Sequence, residues 1–171
     1  AMSPDSAASG AAMNGATALH LTIFGLNPVV KHGTEDLKQR ILPAAARGEL
    51  HVAFGVTEPT AGSDTPSITT FARRDGDQFI VSGQKVWTSK AKESSKALLL
   101  ARTAKPEEAT RRTDGMTLFL ANLDPAHVTI REIDKLGRHA VDSNEVFYDE
   151  LPVDARDVVG EVGRGVYHLL D

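Results

Sequence analysis

The chain has 171 residues, no cysteine, and 19 Lys and Arg against 23 Asp and Glu, which gives a formal charge of −4. This length suits one domain with appendages and is enough to bury a hydrophobic core. The lack of cysteine excludes disulfides, zinc-thiolate sites and a thiol nucleophile. The mild, scattered charge indicates neither nucleic-acid nor membrane-surface binding, and no pair of the six histidines has the spacing of metal ligands on one helical turn. We therefore expect no metal.

The N-terminal part of the chain predicts two helices. Residues 6–26 are alanine-rich with apolar side chains at helical spacing, and we expect this helix to break near Pro28. Thr34 is the predicted N-cap of the second helix, because acidic residues follow it in the first turn. Pro43 is expected to interrupt this helix and Gly48 to end it.

From residue 49 onward the pattern changes to short strands rich in β-branched and aromatic residues. Asp75-Gly76 and Asp114-Gly115 are hairpin or loop-end signals. Many short strands with turns between them predict a β-barrel or sandwich. The charged segment 103–113 is expected to be a solvated variable loop, with partner binding as the alternative. The predicted strands cover residues 50–56, 67–73, 78–81, 85–88, 97–102, 116–123, 128–133 and 145–148.

A first segment, Gly55-Val56-Thr57-Glu58-Pro59-Thr60-Ala61-Gly62-Ser63-Asp64, begins at the end of the first predicted strand. Glu58 precedes a proline and is pushed toward an extended backbone, so the strand should end here. Gly62 permits close approach of a bulky ligand, and the amide and hydroxyl of Ser63 can donate hydrogen bonds to an anionic or carbonyl-rich group. An ordinary turn-rich connection between strands explains the same residues.

A second segment, Gly83-Gln84-Lys85-Val86-Trp87-Thr88-Ser89, lies across a predicted hairpin from the first. Trp87 is the only tryptophan of the chain. Its indole, beside two hydroxyl groups, suits a planar heteroaromatic cofactor. The alternative is a barrel-core tryptophan whose indole N–H meets a carbonyl group.

Together the two segments resemble the flavin-binding signatures of the acyl-CoA dehydrogenases, and shorter matches extend the resemblance over the chain after its first dozen residues. The implied fold is mainly β with flanking helices. Residues 1–48 would be the end of an N-terminal α-helical domain, 49–157 a middle β-barrel domain that binds flavin and acyl-CoA, and 158–171 the start of a C-terminal α-helical domain. The shorter matches are His32-Gly33-Thr34-Glu35, Leu42-Pro43, Gly48-Glu49, Leu136-Gly137-Arg138, Val146-Phe147-Tyr148-Asp149 with Val153, Gly160-Glu161 and Gly163-Arg164-Gly165.

The resemblance implies FAD as cofactor, held by residues of both segments. Val56 and Thr57 are expected at the polar edge of the isoalloxazine ring, and Trp87 is expected to pack against the ring system. Gly62 and Ser63 are expected to approach the pyrophosphate, and Ser63 also the CoA pantetheine of the substrate. The expected cofactor-binding residues are Phe54, Val56, Thr57, Gly62, Ser63, Trp87, Thr88 and Ser89.

One departure from the family pattern affects the second segment. This chain has Trp-Thr-Ser-Lys where many relatives have Trp-Ile-Thr-Asn, and Ser89 stands where the family hydroxyl lies near flavin N5. Thr88 and Ser89 exchange roles if the strand register differs by one residue.

The activity that the resemblance implies is FAD-dependent α,β-dehydrogenation of an acyl-CoA thioester, with hydride transfer to flavin N5. The catalytic base of the family lies beyond residue 171, so no catalytic residue is assigned, and Glu58 is expected to organise the backbone. The alternatives are an acyl-CoA oxidase or flavin monooxygenase of the same superfamily, or a non-catalytic flavin- or acyl-CoA-binding module.

The resemblance also implies partners and a compartment. Electron-transferring flavoprotein is the expected acceptor, and a homodimer or homotetramer is the expected assembly. The chain shows neither a membrane-spanning run nor a signal-peptide layout. We expect the bacterial cytoplasm, or the mitochondrial matrix in a eukaryote.

Overall fold

The computed structural model describes residues 12–137, 139 and 141–171, with side chains from residue 22 onward. Strands dominate this part of the chain, and helices precede and follow them. The helices are α1 (Ala12–His32), α2 (Glu35–Ala46) and α3 (Gly165–Leu170). The strands are β1 (Val52–Gly55), β2 (Phe71–Asp75), β3 (Gln78–Ser89), β4 (Lys96–Arg102), β5 (Met116–Asn122), β6 (Val128–Glu132), β7 (Ser143–Asp154) and β8 (Val158–Val159).

The strands form one curved sheet in the order β6-β7-β3-β2-β4-β5-β8, with β1 paired in parallel to β4. Phe79 of β3 and Phe119 of β5 pack edge to face inside it, with ring centroids 5.1 Å apart. Because β2 and β4 lie between these two strands in the sheet, the contact requires the sheet to curve around a single core. Buried side chains from β1 to β7 all contribute to this core, as expected for a barrel.

The helices cover the outside of β1, β4 and β5. Leu26 of α1 and Ile41 of α2 belong to a second apolar cluster together with Leu98 and Leu100 of β4. Residues 97, 99 and 101 of the same strand face the barrel core instead. Strand β4 is therefore buried on both faces, which explains its nearly continuous apolar sequence.

The predicted helices are present, but neither ends at its proline. Pro28 lies inside α1 and Pro43 inside α2, which contradicts the expected breaks. Each proline removes only its own N–H donor, and burial of neighbouring residues such as Val29 offsets that loss. Thr34 is confirmed as the N-cap, since its hydroxyl oxygen accepts a hydrogen bond from Leu37 N at 3.2 Å. Residues 6–11 of the predicted first helix lie outside the described residues.

The strand predictions are confirmed in outline and corrected at their ends. Predicted strands 78–81 and 85–88 are one strand, β3, because local bulges keep it paired with β7 throughout. The predicted strand 67–73 begins only at Phe71, since Thr65–Ser67 forms a 3₁₀ turn. Asp75 and Gly76 make the predicted hairpin turn between β2 and β3. The domain boundaries inferred from the resemblance remain predictions.

Candidate functional site

The first segment leaves β1 through a tight turn. Glu58 and Ala61 exchange two main-chain hydrogen bonds of 3.1 Å, with Pro59 at the corner. Ala61 is buried, whereas Gly62 and Ser63 are exposed. A Cβ atom placed on Gly62 would meet nothing within 4 Å, and among the described residues the Ser63 hydroxyl has no hydrogen-bond partner. This side of the loop is therefore accessible to a ligand.

The end of the first segment is joined to the charged loop 103–113. Arg112 Nη2 donates to both carboxylate oxygens of Asp64, at 3.0 and 2.8 Å, and Ser67 Oγ donates to Asp64 Oδ2 at 2.5 Å. The hydrogen bonds from Ser67 and Arg112 lower the pKa of the Asp64 carboxyl. The loop is solvated, as expected, but it also contributes this ion pair beside Gly62 and Ser63.

Trp87 lies on the surface rather than in the barrel core. Its exposure is 59%, so the core alternative is wrong. The residue sits in a β-bulge: β3 advances three residues from Lys85 to Thr88, whereas β7 advances two residues between their partners. Its φ angle of +60° is unusual for a bulky residue. Strained backbone of this kind is concentrated at functional sites.

The two hydroxyl groups that follow Trp87 lie on opposite sides of β3. Thr88 is 1% exposed, and its Oγ1 has no partner among the described residues. Its carbonyl oxygen accepts a hydrogen bond from Asn144 Nδ2 at 2.9 Å. Ser89 is half-buried beside a small cavity of about 120 Å³ that Lys135 also lines. Ser89 is thus the hydroxyl nearer the surface.

Hydrogen bonds join the two segments directly. Val86 N donates to Thr57 O at 2.9 Å. Lys85 Nζ donates to Val56 O at 3.0 Å and to Glu58 Oε1 at 2.7 Å. The Lys85 and Glu58 side chains are only 0% and 2% exposed. Residues 56, 57 and 58 are therefore each fixed to the strand that carries Trp87.

Glu58 is fully engaged in this arrangement. Its carboxylate also accepts hydrogen bonds from Thr69 N, Thr69 Oγ1 and Thr70 N, at 2.7, 2.9 and 3.0 Å. Burial opposes its ionisation, but the Lys85 ammonium and the hydrogen bonds from Lys85, Thr70 and Thr69 outweigh that effect and lower the pKa of Glu58 to about 2. Burial lowers the pKa of Lys85, and Glu58 partly opposes this shift. The pair holds the backbone of two loops.

Sequence reasoning missed this ion pair, although a signal for it exists. Phe79 and Val81 face the core, and strict alternation along β3 places Lys85 on the same inward side. A lysine at a core position requires an acidic partner. Glu58 is the acid of the adjacent segment.

Phe54 is positioned by α1 rather than by the second segment. It is half-buried in β1, and its ring lies 5.4 Å from that of Phe24, centroid to centroid. Phe24 is itself 51% exposed. The hydrogen-bond network thus brings Val56 and Thr57 to the strand of Trp87, whereas Gly62 and Ser63 lie beyond the turn.

Among the described residues, no cluster of three His, Asp or Glu side chains is arranged to hold a metal ion. Within the same residues, none of the helices has the length and apolar character needed to cross a membrane.

The fold and both segments match a known class of protein. The family model described as "Acyl-CoA dehydrogenase, middle domain" matches residues 53–151. The chain therefore belongs to the acyl-CoA dehydrogenase family, and this match covers most of its curved sheet.

Individual relatives agree with this assignment. Acyl-CoA dehydrogenase IpdE1 of Mycobacterium tuberculosis is 40% identical over 80% of the chain. The structure of an acyl-CoA dehydrogenase from Geobacillus kaustophilus has a TM-score of 0.79 at 36% identity, and covers 84% of this chain and 37% of its own. Butyryl-CoA dehydrogenase from Megasphaera elsdenii has a TM-score of 0.84 at 27% identity, over 91% of this chain and 40% of its own. The chain spans 34% of the length of the Mycobacterium relative, or about a third.

Proposed function

We propose that the protein binds FAD along the first and second segments and catalyses α,β-dehydrogenation of an acyl-CoA thioester. The observation that supports this most is the joining of the two segments through Thr57 and Val86. That contact leaves an exposed indole on one segment and an open, glycine-containing loop on the other. A stacking surface beside free hydrogen-bond donors fits a flavin dinucleotide.

The roles proposed for Trp87 and Ser89 agree with their exposure. Trp87 would pack against the isoalloxazine ring, and Val56 and Thr57 would bind its polar edge. Ser89, the hydroxyl nearer the surface, would donate near flavin N5. Phe54 would complete this part of the site from β1.

The open side of the first segment suits the polar parts of cofactor and substrate. Gly62 has no neighbour that a ligand would displace, and Gly62 and Ser63 would approach the pyrophosphate. Ser63 would also contact the CoA pantetheine. Thr88 is enclosed, and we assign it a supporting role within the cofactor-binding set.

The catalytic base is proposed to lie outside this chain. Glu58 is unsuited to that task, because a carboxylate with a pKa of about 2 and four hydrogen-bonded donor groups is a weak and inaccessible base. Bound FAD would supply the hydride acceptor, at N5. The residues of this chain would orient the ring and exclude water from its face. We further propose electron-transferring flavoprotein as the acceptor and a homodimer or homotetramer as the assembly.

The test is a visible absorption spectrum of the purified full-length protein, recorded before and after anaerobic addition of a medium-chain acyl-CoA. The proposal predicts a flavin band that bleaches with no electron acceptor present. A bound flavin that stays oxidised with a panel of thioesters contradicts the activity and favours a non-catalytic binding module. Rapid reoxidation of the reduced protein by oxygen favours the oxidase or monooxygenase alternative.

A further inference from the structure

The conformation of Trp87 requires an explanation that its own contacts do not supply. Its φ angle of +60° lies in the left-handed region, where a bulky side chain is disfavoured. Its side chain is exposed, so burial of the indole does not compensate. Such a conformation persists only where the surrounding structure determines it.

The residues on either side of Trp87 are fixed by buried contacts. On the far side, the Thr88 carbonyl oxygen accepts from Asn144. On the near side, Val86 N donates to Thr57 O, and Lys85 Nζ donates to Val56 O and to the Glu58 carboxylate. The chain between these anchors must bulge outward, because β3 has one residue more than β7 between the pairs Lys85–Val146 and Thr88–Asn144.

Among these anchors, the ion pair between Glu58 and Lys85 is the strongest by its chemistry. Hydrogen bonds between charged groups are about twice as strong as neutral ones, and the two side chains are shielded from water. Lys85 also lies only two residues before Trp87 along β3, at the paired position where the bulge begins.

We propose that the Glu58–Lys85 pair is a positioning device that holds Trp87 in its bulged, outward orientation. Lys85 bonds two acceptors of the first segment at once and thereby fixes the register of β3 just before the bulge. This positioning role depends only on contacts within the protein. Its consequence, a preformed stacking surface for flavin, rests on the proposed function.

The test measures the environment of the Trp87 side chain in the full-length protein without bound flavin. The protein is labelled with 5-fluorotryptophan, and the ¹⁹F resonance of Trp87 is assigned by its loss in Trp87→Phe. The main variant is Glu58→Gln/Lys85→Met, which removes both charges without leaving one of them buried and unpaired. The matched control is Lys92→Met, which removes an exposed ion pair with Glu132.

We expect one narrow Trp87 resonance in the parent protein and in the control. In the double variant we expect the resonance to shift by more than its line width, or to split, while circular dichroism shows a folded protein. A folded double variant with an unchanged shift and line width overturns the proposal. Should the double variant not fold, Glu58→Asp, which keeps the charge but withdraws the carboxylate from Lys85, decides by the same criterion.

Flavin content is measured separately, so that the two proposals fail independently. A parent protein that takes up no FAD, together with a Trp87 resonance that responds to the double variant, refutes the proposed function and leaves the positioning role intact. A parent protein that binds FAD, together with a Trp87 resonance that is unchanged in the double variant, refutes the positioning role and leaves the proposed function intact.

Discussion

Lys85 carries the most deeply buried charge of the described structure. Replacing it by methionine removes that charge and nearly preserves the length of the side chain. The variant leaves the Glu58 carboxylate, 2% exposed, without its counter-charge. The hydrogen bonds from Thr69 and Thr70 remain but do not neutralise it. Breaking a buried pair in this way typically costs about 3–5 kcal/mol. We expect that loss in the free energy of unfolding at pH 7.

The loss is large relative to the stability of an ordinary domain, which is about 5–15 kcal/mol. Urea unfolding followed by far-ultraviolet circular dichroism measures it directly. The double variant Glu58→Gln/Lys85→Met should be more stable than Lys85→Met by at least about 1 kcal/mol, because no unpaired charge stays buried. The exposed control Lys92→Met should leave the urea midpoint unchanged. A loss below about 1 kcal/mol in Lys85→Met refutes the reasoning, since it would mean that water reaches Glu58.

Three further predictions concern Glu58, Gly83 and Trp87. The pKa of Glu58 is lowered in the folded protein from 4.5 to about 2. The contribution of the ionised carboxylate to stability is therefore complete above pH 4.5 and is lost as the pH falls toward 2. The free energy of unfolding, measured as a function of pH, should show a loss of about 3 kcal/mol over this range that is absent in Glu58→Gln. In Gly83→Ala the new Cβ would lie 2.5 Å from Thr70 Oγ1, at a φ of +151°, and we expect the free energy of unfolding in urea to fall by about 2–4 kcal/mol. The control Gly62→Ala, whose Cβ meets nothing within 4 Å, should lose less than about 0.5 kcal/mol. Equal losses in the two variants would contradict this prediction. Trp87→Ala should weaken FAD binding by on the order of 1 kcal/mol, about fivefold in Kd by equilibrium dialysis, and an unchanged Kd would remove its stacking role.

The barrel and its flanking helices were predictable because their signals are local. Strand β4 is an almost continuous run of apolar residues, and Asp75-Gly76 marks a hairpin on its own. The capping role of Thr34 is equally local. The helix breaks at Pro28 and Pro43 were wrong, because tertiary burial of residues around a proline cannot be read from the proline itself.

The geometry of the site depended on contacts distant in sequence. The outward direction of Trp87 results from a bulge that no residue of the second segment predicts. Whether Thr88 or Ser89 faces the surface also depends on that bulge, so the register stayed open at the level of sequence. The pairing of Glu58 with Lys85 spans 27 residues, and alternation along β3 was the signal for it.

The central claim is that the first and second segments hold the flavin, and flavin content of the purified full-length protein tests it most directly. The informative variant is Gly62→Leu, because the side of Gly62 that would face the cofactor is open in the protein fold. We predict that the parent protein carries stoichiometric FAD, and that Gly62→Leu folds with an unchanged urea midpoint but retains little FAD after gel filtration. A Gly62→Leu protein that retains as much FAD as its parent would contradict the claim, as would a parent protein that takes up none.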